Sequence, residues 1–106
     1  MKRRNRDQVQ RGIQGIVEMI LPSRGHLRDR AIHSQNGNPH MTWYWPTRAG
    51  KANLVVEVVG RDWDSVRVSL FVTYPGIQRR NQMVYRNLAT PETTGDVVEH
   101  ALRQLS

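Results

Sequence analysis

The stretch Asn53-Leu54-Val55-Val56-Glu57-Val58-Val59-Gly60-Arg61-Asp62-Trp63-Asp64-Ser65-Val66-Arg67-Val68-Ser69-Leu70-Phe71-Val72-Thr73 decides the fold. Its second half alternates strictly. Val66, Val68, Leu70 and Val72 point one way, and Arg67, Ser69, Phe71 and Thr73 the other. A period of two is the signature of a strand with unlike faces. In the first half Leu54, Val56 and Val58 share one face, and Val55, Glu57 and Val59 the other. Gly60 to Asp64 has the Gly and Asp expected of a turn. Two strands joined by so short a link pair antiparallel.

Working outward, Met41-Thr42-Trp43-Tyr44-Trp45 alternates too, with Met41, Trp43 and Trp45 on one face, and Pro46 stops it. Arg48-Ala49-Gly50-Lys51 turns the chain into the next strand. Pro75-Gly76 is a type II turn signal. A more polar strand near residues 78–88 carries Arg79, Arg80 and Arg86, which suits a sheet edge. At the front, Val9, Ile13, Ile16, Val17 and Ile20 recur at helical spacing, with Asp7 as a cap and Pro22 as a stop. Gly12 and Gly15 lie among them and leave a smooth strip that another backbone could approach. At the back, Thr90 reads as an N-cap before Pro91, and Val97, Val98, Ala101, Leu102 and Leu105 build an apolar stripe.

The expected architecture is α+β: a four-stranded antiparallel meander flanked by an N-terminal and a C-terminal helix, in the order α-β-β-β-β-α. Residues 1–6 read as a flexible basic arm and 7–106 as one domain. Residues 22–40 read as a long loop, with a short helical turn over 26–33 as an option. The sheet face carrying Tyr44, Val55, Glu57, Val59, Arg67, Ser69, Phe71 and Thr73 is too apolar for an ordinary wet face. Either a partner covers it or one helix crosses to it.

The 106 residues contain no cysteine, which excludes disulfides, thiolate metal sites and a cysteine nucleophile. No apolar run approaches the ~20 residues that cross a bilayer. Met1-Lys2-Arg3-Arg4-Asn5-Arg6 is followed by polar residues and not by an apolar segment, so export is not expected. A cytoplasmic setting follows. The net charge is +7, carried almost wholly by arginine. The first 34 residues balance at +5, residues 35–90 at +4 and residues 91–106 at −2. An anionic partner should therefore meet the front of the chain or the sheet, and not the last helix.

Two groups of residues invite a catalytic reading. His26, Asp29 and His33 have helical spacing, but Gly37 and Pro39 break the pattern before His40, and three or four converging ligands are needed. Glu57, Asp62 and Asp64 are explained by a strand and its turn. Nucleophile motifs, phosphate loops and dinucleotide fingerprints are missing. The expectation is a non-enzyme with no cofactor and no bound metal.

The helix–strands–helix order, Gly37-Asn38-Pro39-His40 before a strand, and the closing Ala101-Leu102-x-x-Leu105 loosely resemble a double-stranded RNA-binding domain. Where that family places basic residues at the start of its last helix, this chain has Thr90-Pro91-Glu92-Thr93, and it has one strand more. The resemblance therefore carries no phosphate clamp to the last helix.

What remains are the arginines. Lys2, Arg3, Arg4 and Arg6 form the arm, Arg24, Arg28 and Arg30 mark the loop, Arg67 lies on the half-apolar face, and Arg79, Arg80 and Arg86 lie on the polar strand. Such groups neutralise phosphates without reading sequence. The expected function is a small basic module that contacts nucleic acid, DNA or RNA, with little sequence specificity. The alternative is a protein-interaction module: a homodimer, or an inhibitor or adaptor of the kind phages and mobile elements encode. It would meet an acidic protein surface or a second copy through Tyr44, Phe71, Gly12 and Gly15.

Overall fold

The structure is a computed structural model and describes residues 5–22, 25–32, 37–76 and 80–105. Helix α1 (Arg6–Ile20) is followed by strands β1 (His26–Ala31), β2 (His40–Pro46), β3 (Lys51–Val58), β4 (Val66–Tyr74) and β5 (Arg80–Ala89), then by helix α2 (Thr94–Arg103). The sheet order is β1-β2-β3-β4-β5, with every pair antiparallel. The α+β class, the antiparallel meander and the two flanking helices agree with the sequence reading. The strand number does not: there are five, because His26–Ala31 is a strand inside the segment read as a loop or helical turn.

The reason lies in Arg30. It pairs with Met41 and so points to the side where β2 buries its apolar residues. There α1 supplies polar partners. The Arg30 guanidinium donates to Asp7 through Nη2 and to Gln10 Oε1 through Nε at 2.9 Å. Gln10 is fully buried, and its Nε2 donates to the Ala31 carbonyl at 3.2 Å. A charged side chain at an inward position breaks the apolar alternation that marks a strand. The register also slips between Leu27 and Asp29, leaving Arg28 as an extra residue.

The helix caps differ from expectation by a few residues. Asn5, not Asp7, caps α1, its side chain accepting from the Gln8 N–H at 3.2 Å. Asp7 instead sits in the first turn, where a negative charge suits the helix dipole, and pairs with Arg11 at 2.8 Å and with Arg30. Thr93, not Thr90, stands at the N-cap of α2. Thr90 organises the turn before it. Thr90 N–H donates to Thr93 Oγ1 at 2.8 Å, and Thr93 N–H donates back to Thr90 Oγ1 at 3.2 Å.

Both helices lie on one side of the sheet. Ile13 and Val17 of α1 and Val98 and Ala101 of α2 join Met41, Trp43, Trp45, Leu54, Val56, Val68 and Leu70 in a single core. The helices touch at Gly95, where an added Cβ would stand 3.1 Å from Ile16 Cγ2. Gly12 and Gly15 face away from this contact, with nothing within 4 Å of an added Cβ. Trp63 is buried in the β3–β4 turn with φ 58, an uncommon conformation for a bulky residue. The Arg6 guanidinium lies 5.8 Å from its ring centre and ties that turn to the start of α1. Among the described residues no helix is long and apolar enough to cross a membrane.

Candidate functional site on the open face of the sheet

With both helices on one side, the opposite face of the sheet has no described element packed over it. Register sorts its side chains into rows that run across the strands. One row is Ala31, His40, Glu57, Arg67 and Leu88. The next is Asp29, Thr42, Val55, Ser69 and Arg86, and the third is His26, Tyr44, Asn53, Phe71 and Met83. The last is Pro46, Lys51, Thr73 and Asn81. Beside this last row, Pro46, Thr47, Gly50, Lys51, Thr73, Tyr74 and Pro75 line a depression of about 280 Å³.

The two carboxylates of the face are both engaged. Arg67 donates to Glu57 through Nε at 3.2 Å and through Nη2 at 3.1 and 3.0 Å. Burial by itself would raise the Glu57 carboxyl, but these bonds and the Arg67 charge, with the Asn38 amide behind them, hold it below its ordinary value. Asp29 meets His40 Nε2 at 3.1 Å, while His40 Nδ1 lies 3.0 Å from the Asn38 carbonyl. That carbonyl is the main reason the imidazole is raised; burial opposes it, and Asp29 and Glu57 favour it. An imidazole with an acceptor at each nitrogen is best satisfied as the imidazolium, which donates from both.

The cations of the face are not all matched. Arg86 donates to Ser69 Oγ at 2.9 Å, and its side chain is otherwise exposed. Arg28 is exposed, with its guanidinium 5.7 Å from the centre of the Tyr44 ring. Lys51 is exposed on the last row. Among the described residues none of these three forms an ion pair with a carboxylate. Tyr44 and Phe71 are half-buried on the same row, and His26 packs edge-on against Tyr44 with ring centres 4.2 Å apart. The face therefore couples uncompensated positive charge to aromatic surface.

The residues singled out from the sequence fall into groups. Arg28, Tyr44, Arg67, Phe71 and Arg86 share the open face. Arg67 is occupied by Glu57. Arg80 is exposed at the start of β5, opposite Tyr74. Arg30 is turned into the α1–β1 junction and Arg6 toward Trp63, so neither joins the face. Gly12 and Gly15 are exposed on α1, on the helical side, away from Tyr44 and Phe71. Lys2, Arg3, Arg4, Arg24, Arg79 and His33 lie outside the described residues. Asp62 and Asp64 are exposed in the β3–β4 turn, and among the described residues no three His, Asp or Glu side chains converge as a metal site would require. His26, Lys51, Asn53 and Met83 were missed as face residues. The alternation of β3 places Lys51 and Asn53 there, whereas His26 could be placed only once β1 was known.

Compared with known protein families, curated proteins and solved structures, the chain matches none.

Proposed function

We propose that this chain is a small, non-enzymatic, cytoplasmic module that binds nucleic acid through the open face of its sheet, with little sequence specificity. One observation carries the reading: among the described residues Arg28, Lys51 and Arg86 stand without carboxylate partners around Tyr44 and Phe71, while Asp29 and Glu57 are already taken. Cations so placed favour an anionic polymer, and phosphate contact supplies affinity without sequence information. The negative tail end at Glu92, Asp96 and Glu99 is on the helical side and does not oppose it. Binding to mixed-sequence nucleic acid, measured across a salt series, tests the proposal. Arg28→Ala and Arg86→Ala should each flatten the salt slope by about one unit. Arg103→Ala, on α2, should leave the slope unchanged. Absence of binding at low salt, or binding with no salt slope, removes this reading.

A second reading is favoured by Met83 and Leu88, which are 47% and 63% exposed on β5. Arg86 stands between them, and with the half-buried Tyr44 and Phe71 on the Met83 row they give the open face apolar surface that a partner would bury. On this reading the same face meets a second copy of the chain. Sedimentation velocity over a range of concentrations separates the two: a dimer that binds no nucleic acid supports the second.

A further inference from the structure

Resting on the nucleic-acid reading above, we infer that the ligand is single-stranded and lies across the strands along the row of Tyr44, Asn53 and Phe71. Tyr44 and Phe71 each take a base, and Arg28 and Arg86 take the flanking phosphates.

Tyr44 is on β2 and Phe71 on β4, with Asn53 of β3 between them in register. Two strand spacings separate the rings by roughly 10 Å. Successive bases of one strand in a duplex are about 3.4 Å apart and stacked on each other. Neighbouring bases can meet both rings only if they are splayed out, which a single strand allows and a duplex does not.

Five strands span roughly 19 Å, whereas a major groove of about 12 Å admits one helix or a two-stranded ribbon. The helices, which could enter a groove, are on the other side of the sheet. A duplex could rest on this face only by its phosphates and would leave Tyr44 and Phe71 unused.

The side chains around the rings suit exposed bases. Arg28 already covers Tyr44 at 5.7 Å. A base that stacks on Tyr44 takes the place of this exposed guanidinium, which then swings off the ring to the adjoining phosphate. Among the described residues the Asn53 amide forms no side-chain hydrogen bond, which leaves its donors and acceptor open to a base edge. Arg86 is on the adjacent row of β5, next to the end where Phe71 meets Met83. Stacking tolerates any base, since each has a π-face, in keeping with low sequence specificity.

The test compares oligothymidine and oligouridine with a mixed-sequence DNA duplex of equal length and ionic strength, by fluorescence anisotropy. The single strands should bind at least ten-fold more tightly than the duplex. Tyr44→Ala and Phe71→Ala should each weaken single-strand binding by at least about five-fold while leaving the salt slope unchanged. Tyr44→Leu and Phe71→Leu, which keep apolar bulk, should show the same loss with an unaltered circular dichroism spectrum. Duplex binding as tight as single-strand binding overturns this inference but leaves the nucleic-acid reading standing. Full single-strand affinity in the leucine variants overturns it as well. No binding to either ligand removes both.

Discussion

Arg30 is the residue whose environment most repays attention, because it faces the helix layer and yet is a permanent cation. Asp7 and Gln10 meet it there, and Gln10, with no exposed surface, also holds the Ala31 carbonyl. Gln10→Leu keeps the volume near the original but leaves the Ala31 carbonyl without its partner and Arg30 with Asp7 alone. A buried polar group deprived of its bond costs about 1–3 kcal/mol. Urea unfolding should register a loss in that range, far above the effect of Gln14→Leu on the same helix. Two other side chains give the fold a pH signature. Glu57 is held below its ordinary value of 4.5, so its stabilising contribution is complete above that pH and is lost as the pH falls through the lowered value. His40 is raised above 6.5, so its contribution is complete below 6.5 and is lost as the pH rises through the raised value. Thermal melts across pH should show the acid-side loss reduced in Glu57→Gln and the loss above pH 6.5 reduced in His40→Gln.

At the level of elements, β2 to β4 and both helices were legible because their burial follows a simple period, whereas β5, almost wholly exposed, was legible only as a polar edge after the Pro75-Gly76 turn. Met41, Trp43 and Trp45 are buried in β2, and Ala52, Leu54, Val56 and Val58 in β3, as alternation requires. β1 was illegible for two physical reasons. Its inward Arg30 is satisfied by residues about twenty positions away, which no local pattern reveals, and the extra residue Arg28 breaks the period. The site was legible to the same degree. Tyr44, Arg67 and Phe71 share a face by counting in twos, whereas Arg28 and His26 join it only through β1. Helix α1 permits a further expectation. Gly12 and Gly15 are interior helical positions with open space beside them. Alanine at either should raise stability by about 0.5–1 kcal/mol, because glycine loses more backbone freedom on folding. Denaturant midpoints would show this. If the midpoint rises while association with a partner falls, the glycine strip is itself a contact surface.

For the molecule as a whole, the two outer strands differ from the inner three. Each carries a register slip: the extra residue is Arg28 in β1 and Val84 in β5. Bulges at sheet edges discourage edge-to-edge pairing of sheets. Any self-association should therefore use the open face. Met83→Lys and Leu88→Lys, at exposed positions, should dissociate such a dimer without lowering the melting temperature by more than a few degrees. Sedimentation and melting on the same samples would check both halves of that statement.

The placement of α2 sets an order of events during synthesis. Every strand pairs with its neighbour in sequence, so the sheet can assemble as it emerges from the ribosome. Val98 and Ala101, which close the core, are made after everything they cover. Until they arrive, the part of the valine, leucine and tryptophan side that Ile13 and Val17 of α1 do not cover is exposed to water, and exposed apolar surface of this kind is what makes folding intermediates aggregate. Shortening the chain to residues 1–93, which keeps the whole sheet and removes α2, should therefore lower the soluble fraction on expression.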